Sequence, residues 1–224
     1  MDLIKDIRFY PQEPYPLLDK YDVHGMKDIL QRLLFLLRHE GFTFGSFDHL
    51  YMNYTPSLPH GQVQRSQRPV SREFSWLQYA DAGCDPEVFQ AMPREKQRQF
   101  LAETVRKAAH LYADEANCAI LDRCYERVMT QGAALEIPYK AKDGEHLRIA
   151  VCTTISDDVQ FLPIIRIYDK AGSLLREERL KPCSRDAFLA QFGTISLGKK
   201  TVRIDPRKSW YLERQSMQQL KFTL

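Results

Sequence analysis

The chain has 224 residues, 44% of them hydrophobic and 27% charged, with a formal net charge of +3. A chain of this length buries roughly 70% of the surface it exposes when unfolded, so it needs no disulfide staples, and its composition excludes disorder over most of its length. The charge is uneven: from Gly198 to Leu224 seven basic residues stand against Asp205 and Glu213, a net of +5 that leaves −2 for the rest.

The opening residues, Met1-Asp2-Leu3-Ile4-Lys5-Asp6, lack the basic and apolar regions of a secretory signal. The longest apolar run, Leu33 to Leu37, is far short of a bilayer span. The expected location is therefore cytoplasmic, with no membrane partner.

Ile7 to Tyr10 reads as a short strand, and Pro11, Pro14 and Pro16 then impose an extended connector. With Asp22 as a cap, Met26, Ile29, Leu30, Leu33, Phe35, Leu36 and Leu37 recur at helical spacing until Gly41. This helix is apolar nearly all round in its second half, which predicts cover on more than one side.

Phe47 to Thr55 alternates at period two, with Leu50, Met52 and Tyr54 on one face and His49, Tyr51 and Asn53 on the other. A second aromatic strand is expected over Glu73 to Tyr79. The connection from Pro56 to Arg72 is too long for a tight hairpin, and such loops carry function or are disordered. Asp85 and Pro86 supply the cap and first residue of a short helix. Pro93 to Gly132 then reads as one or two long amphipathic helices, with Asp114 to Asn117 as either a break or a polar face.

Beyond Gly132 the period changes from helical to two. Ala134 to Lys140 and His146 to Ile155 flank Asp143-Gly144, a pair that favours a hairpin with positive φ. Val159 to Tyr168 and Ser173 to Leu180 complete a four-stranded antiparallel meander. The third of these strands is apolar on both faces, as an inner strand is, although Pro163 opposes full pairing there. Ser184 caps a short helix ending at Gly193, followed by strands at Thr201 to Ile204 and Leu220 to Leu224. The fold class is α+β, with helices packed on mainly antiparallel sheet and a C-terminal meander. Residues 1–224 form either one continuous domain or two lobes, 1–132 and 133–224.

Few residues suggest chemistry. The five cysteines, Cys84, Cys118, Cys124, Cys152 and Cys183, include no CxxC pair and read as buried thiols in a reducing compartment. Cys84 is the best nucleophile candidate, following a turn and preceding a helix start, with His49 as its conceivable base. The six histidines show no metal-ligand spacing, so neither metal nor cofactor is expected. Gly193 and Gly198-Lys199-Lys200 imitate a phosphate loop, but lysine stands where the magnesium-binding hydroxyl belongs. Lys199, Lys200, Arg203, Arg207 and Lys208 run toward Trp210 and Tyr211, a combination that could neutralise phosphates and stack on bases. They mark the chain as a candidate nucleic-acid-binding accessory protein.

From Phe47-Asp48-His49-Leu50-Tyr51-Met52-Asn53-Tyr54-Thr55-Pro56, through Arg72-Glu73-Phe74-Ser75-Trp76, to Ala80-Asp81-Ala82-Gly83-Cys84-Asp85 and the helix at Pro93, the order of features resembles bacterial immunity proteins. These are the cognate inhibitors encoded beside polymorphic, contact-dependent or type VI-delivered toxins. The resemblance implies a non-enzymatic protein that binds a toxin stoichiometrically and occludes its active site, with no small-molecule substrate. Contact residues are expected on the long loop, at Arg65, Arg68 and Arg72, and on an exposed aromatic edge of the first strand, at His49 and Tyr51. The chain shows no obvious acidic face of the kind that inhibitors of basic nucleases offer, so a basic surface set against an acidic cleft is equally expected.

Overall fold

The alternation of Leu50, Met52 and Tyr54 builds the strand at the centre of the N-terminal half, where all three are fully buried. The computed structural model describes residues 3–11, 27–207 and 218–224; Pro14, Pro16 and the Asp22 cap lie outside them. The chain divides into two compact units, Met1–Gly132 and Ala133–Leu224, at the glycine where the sequence period changes.

In the first unit, β2 (His49–Thr55) is flanked by β1 (Asp6–Pro11) and β4 (Leu77–Gly83), both parallel to it. A short β3 (Val63–Arg65) pairs antiparallel with β4 at the edge, giving the order β1-β2-β4-β3. Among the described residues four helices accompany the sheet: α1 (Lys27–His39), α2 (Pro86–Ala91), α3 (Arg94–His110) and α4 (Glu115–Gln131). α3 lies against β2, β3 and β4, while α1 contacts β1, α3 and α4. Leu33 to Leu37 are buried all round the helix, as their composition requires. Asp85 accepts from the Glu87 and Val88 N–H groups and starts α2 with Pro86 at its first position. The polar stretch at Asp114 is a break, because its carboxylate accepts from Asn117 N–H and caps α4.

Two local expectations are corrected. Glu73 to Tyr79 does not form one strand: Ser71 caps a single 3-10 turn, Arg72–Phe74, and β4 begins only at Leu77. The long connection, expected to carry function or be disordered, supplies the short strand β3.

Among its described residues the second unit holds two antiparallel sheets. β5 (Ile137–Asp143), β6 (Leu147–Ile155), β7 (Phe161–Asp169) and β8 (Leu174–Arg179) pair in sequence order. β7 is an inner strand despite Pro163, whose carbonyl accepts from Leu180 N–H on the side where β8 ends. The missing proline N–H therefore faces the end of a strand rather than its middle. The turn lies later than the expected Asp143-Gly144: Gly144 N–H donates to the Leu147 carbonyl at 2.8 Å, so Glu145 and His146 form the loop, and Gly144 is not among the residues with positive φ. A Cβ on Gly144 would stand 3.0 Å from Leu197 Cδ1 and 3.2 Å from the Leu147 oxygen, so a larger residue there would make these neighbours give by a few tenths of an ångström.

Ser184 caps α5 (Arg185–Gln191), whose Phe188 packs on Tyr139, Phe161 and Phe192. A second sheet then orders as β11 (Leu220–Thr223), β10 (Thr201–Asp205) and β9 (Thr194–Leu197). The fold is α+β, and parallel pairing among the described residues is confined to β1–β2 and β2–β4. Among those residues no helix is long and apolar enough to cross a membrane.

Candidate partner-binding face

Tyr54 faces α3, so the alternate residues of β2 must face the other side of the sheet. The parallel register sets Asp6 beside His49 and His49 beside Leu77, then Arg8 beside Tyr51 and Tyr51 beside Tyr79. Asn53 follows beside Asp81 and donates to its carboxylate at 2.9 Å. The result is a polar and aromatic layer on the face turned away from α3.

His49 lies at the head of this layer. Its Nδ1 meets the Asp48 carboxylate, which Lys5 also approaches. Burial would push the Asp48 carboxyl up, but the hydrogen bonds from Lys5 and His49 outweigh it and hold the group below the usual carboxylate range. The His49 ring meets Trp76 edge-on at 4.5 Å, and Trp76 meets Phe74 at 5.9 Å. Both are large apolar side chains left in water, Phe74 at 48% and Trp76 at 38% exposure. Arg72 opens the same turn and is exposed.

The five residues expected to bind a partner do not share one surface. Tyr51 is only 6% exposed, with the Tyr79 ring at 5.7 Å and the Arg8 guanidinium at 5.6 Å, so it presents no open ring. Arg65 stands opposite Ala80, on the α3 side of the sheet. There its Nε donates to the Leu111 carbonyl at 3.0 Å and its guanidinium covers Tyr112, which closes the C-terminus of α3. Arg68 lies on the other face, its guanidinium 4.5 Å from the Tyr79 ring centre. His49, Arg68 and Arg72 thus remain on or beside the polar face, and Arg65 leaves it.

Phe74 and Trp76 stand outside the contact residues expected from the sequence, because their aromatic character favours strand. The missed signal is Ser71-Arg72-Glu73, a serine placed to cap a turn and so lift the next aromatics off the sheet.

The other candidates separate cleanly. Cys84 is buried, and its N–H donates to the Thr55 carbonyl at the far end of β2. His49, six residues back along that strand, is therefore about 20 Å away. Burial, with Asp85 adding to it, pushes the Cys84 thiol up to about 12, opposite to what an activated thiolate needs. The stretch between Gly193 and Gly198 is strand β9 paired with β10, so no phosphate loop forms. Lys199 and Lys200 occupy the β9–β10 turn, and Arg203 points outward from β10. Arg207 donates to the Tyr139 hydroxyl at 2.9 Å. Lys208, Trp210, Tyr211 and Arg214 lie outside the described residues.

Comparison with family models, with curated proteins and with solved structures returns no match.

Proposed function

We propose that the protein is an immunity-type inhibitor that binds a cognate toxin protein in the cytoplasm and covers its active site. The observation that carries this reading is the Phe74–Trp76–His49 cluster. Two large apolar rings are held in solvent on a capped turn, next to Arg72 and across the sheet face from Arg68. Tryptophan and arginine are the residues that most often dominate the energy of a protein interface, and aromatic rings lose little conformational entropy on contact. Phe74 keeps 48% of its surface in water beside the Trp76 ring, an exposure that a covering partner explains.

The test is co-expression with the product of the adjacent reading frame. The expected result is a one-to-one complex in which that product's toxic activity is lost. Trp76→Ala is expected to weaken the complex by about 2 kcal/mol or more, some thirtyfold, without loss of the fold. Failure of the two products to associate, or a Phe74→Ala, Trp76→Ala double variant that binds as well as the parent, would refute the reading.

A further inference from the structure

The exposed face of the β9–β10–β11 sheet belongs to the second unit and plays no part in the aromatic cluster. Alternation along β10 buries Val202 and Ile204 completely and turns Thr201 and Arg203 outward. The register sets Ser196 and Lys221 directly on either side of Arg203, one from each neighbouring strand. These side chains, with Gly198, Thr201 and Gln219, line a recess of about 450 Å³.

Two details set this recess apart from an ordinary solvated surface. Arg203 and Lys221 form a directly opposed like-charge pair across two strands, an arrangement that costs stability. The nearest compensation is one carboxylate: Asp205 accepts from Arg203 Nε at 3.1 Å and also from Gln219. Lys199 and Lys200 follow Gly198 in the β9–β10 turn, so two further cations stand in the connection that borders the recess. Gly198 itself makes room for a hydroxyl. A Cβ at that position would fall 2.6 Å from Thr201 Oγ1, so only glycine lets that side chain lie against the turn.

We infer that this recess is a phosphate-binding site, in which Arg203 and Lys221 hold one phosphoryl group between them and Ser196 and Thr201 offer hydroxyl donors. An anion seated there removes the repulsion that the sheet otherwise carries. The guanidinium suits such a ligand because its terminal nitrogens can both donate to one phosphate. The flat, open sheet admits a nucleic-acid strand as well as a free nucleotide. The inference does not depend on toxin binding.

The experiment uses the full chain at low salt, with fluorescein-labelled oligodeoxythymidine and inorganic pyrophosphate as separate probes. Saturable oligonucleotide binding is expected, weakened at least tenfold by Arg203→Gln with Lys221→Gln. Loss of the one phosphate held between them should make the slope of log affinity against log salt shallower by about 0.7. Pyrophosphate binding that is lost in the same variant, with no tighter grip on the oligonucleotide, would support the site and assign it to small phosphates. Because both residues are exposed and repel each other, the variant should melt no lower than the parent, which separates a lost site from a lost fold. No saturable binding of either probe, or equal affinity and salt slope in the variant, would overturn the inference.

Discussion

The Tyr54 hydroxyl donates to Thr104 Oγ1 across 2.8 Å, joining the central strand of the first unit to α3 in a fully buried bond. The direction follows from the threonine, whose single hydroxyl hydrogen goes to the Phe100 or Leu101 carbonyl, at 3.0 and 2.9 Å. Tyr54 must then be the donor. Thr104→Val should cost about 1–3 kcal/mol, because it strands a buried O–H, whereas Tyr54→Phe should cost about 1 kcal/mol or less. Urea unfolding of both variants and of the double variant checks this. A Tyr54→Phe loss larger than that of Thr104→Val would show the donor assigned the wrong way.

Val159 adopts φ +62°, the one non-glycine residue with positive φ among those described, in the turn between β6 and β7. A β-branched side chain is strained there. Val159→Gly should therefore raise stability by about 1 kcal/mol, despite the freedom glycine gains in the unfolded chain. A higher thermal midpoint is the expected readout, and a lower one would mean that the contacts of the Val159 side chain outweigh the strain.

Cys84 should resist alkylation. With its thiol pushed up to about 12 and the side chain buried, iodoacetamide at neutral pH should leave it unmodified in the folded protein and label it fully in denaturant. Rapid labelling of the native chain at Cys84 would reopen a nucleophilic role.

Arg166 on β7 grips Glu136 at 2.7 and 2.9 Å and Glu177 on β8 at 2.7 Å. Its hydrogen bonds hold both carboxyls below the usual glutamate range. A carboxyl depressed on folding stabilises the fold above its unfolded pKa, and that contribution fades as pH falls through the folded value. Glu136→Gln should thus cost about 0.5–1 kcal/mol at neutral pH, a modest figure because the Glu136 side chain is 37% exposed and screened. The gap between parent and variant should close on acidification below about pH 4. A gap that stayed constant into strong acid would show that the pair contributes nothing through charge.

Much of this architecture is legible in the residues themselves. Asp85-Pro86 and Ser184 act locally, through side chains that satisfy nearby N–H groups, so spacing alone locates α2 and α5, whereas Asp114 sits in a polar stretch that reads equally as a break or a polar face. The meander is visible for a similar reason, since short turns force neighbouring strands to pair. Parallel pairing of β1 with β2 and of β2 with β4 is not visible, because period two says which residues share a face but not which distant strand lies alongside. The same limit explains Tyr51: alternation placed it away from the α3 side, yet Arg8 and Tyr79 arrive from other strands to pack on it. At Arg72 to Trp76 aromatic content masks a small capping signal from Ser71, and that signal alone distinguishes the exposed rings of the candidate face from strand residues. Basic character in the last stretch was plain, but the opposition of Arg203 and Lys221 depends on the β10–β11 register.

Pro163 also has a bearing on how β7 and β8 find their alignment. β8 is largely exposed and mixes arginine with glutamate, so its burial pattern discriminates poorly between neighbouring registers. The Leu180 carbonyl, one residue beyond β8, already faces the proline ring nitrogen, which has no hydrogen to give. The ring thus marks where the β7–β8 ladder gives out, since pairing beyond Arg179 gains no bond from that nitrogen.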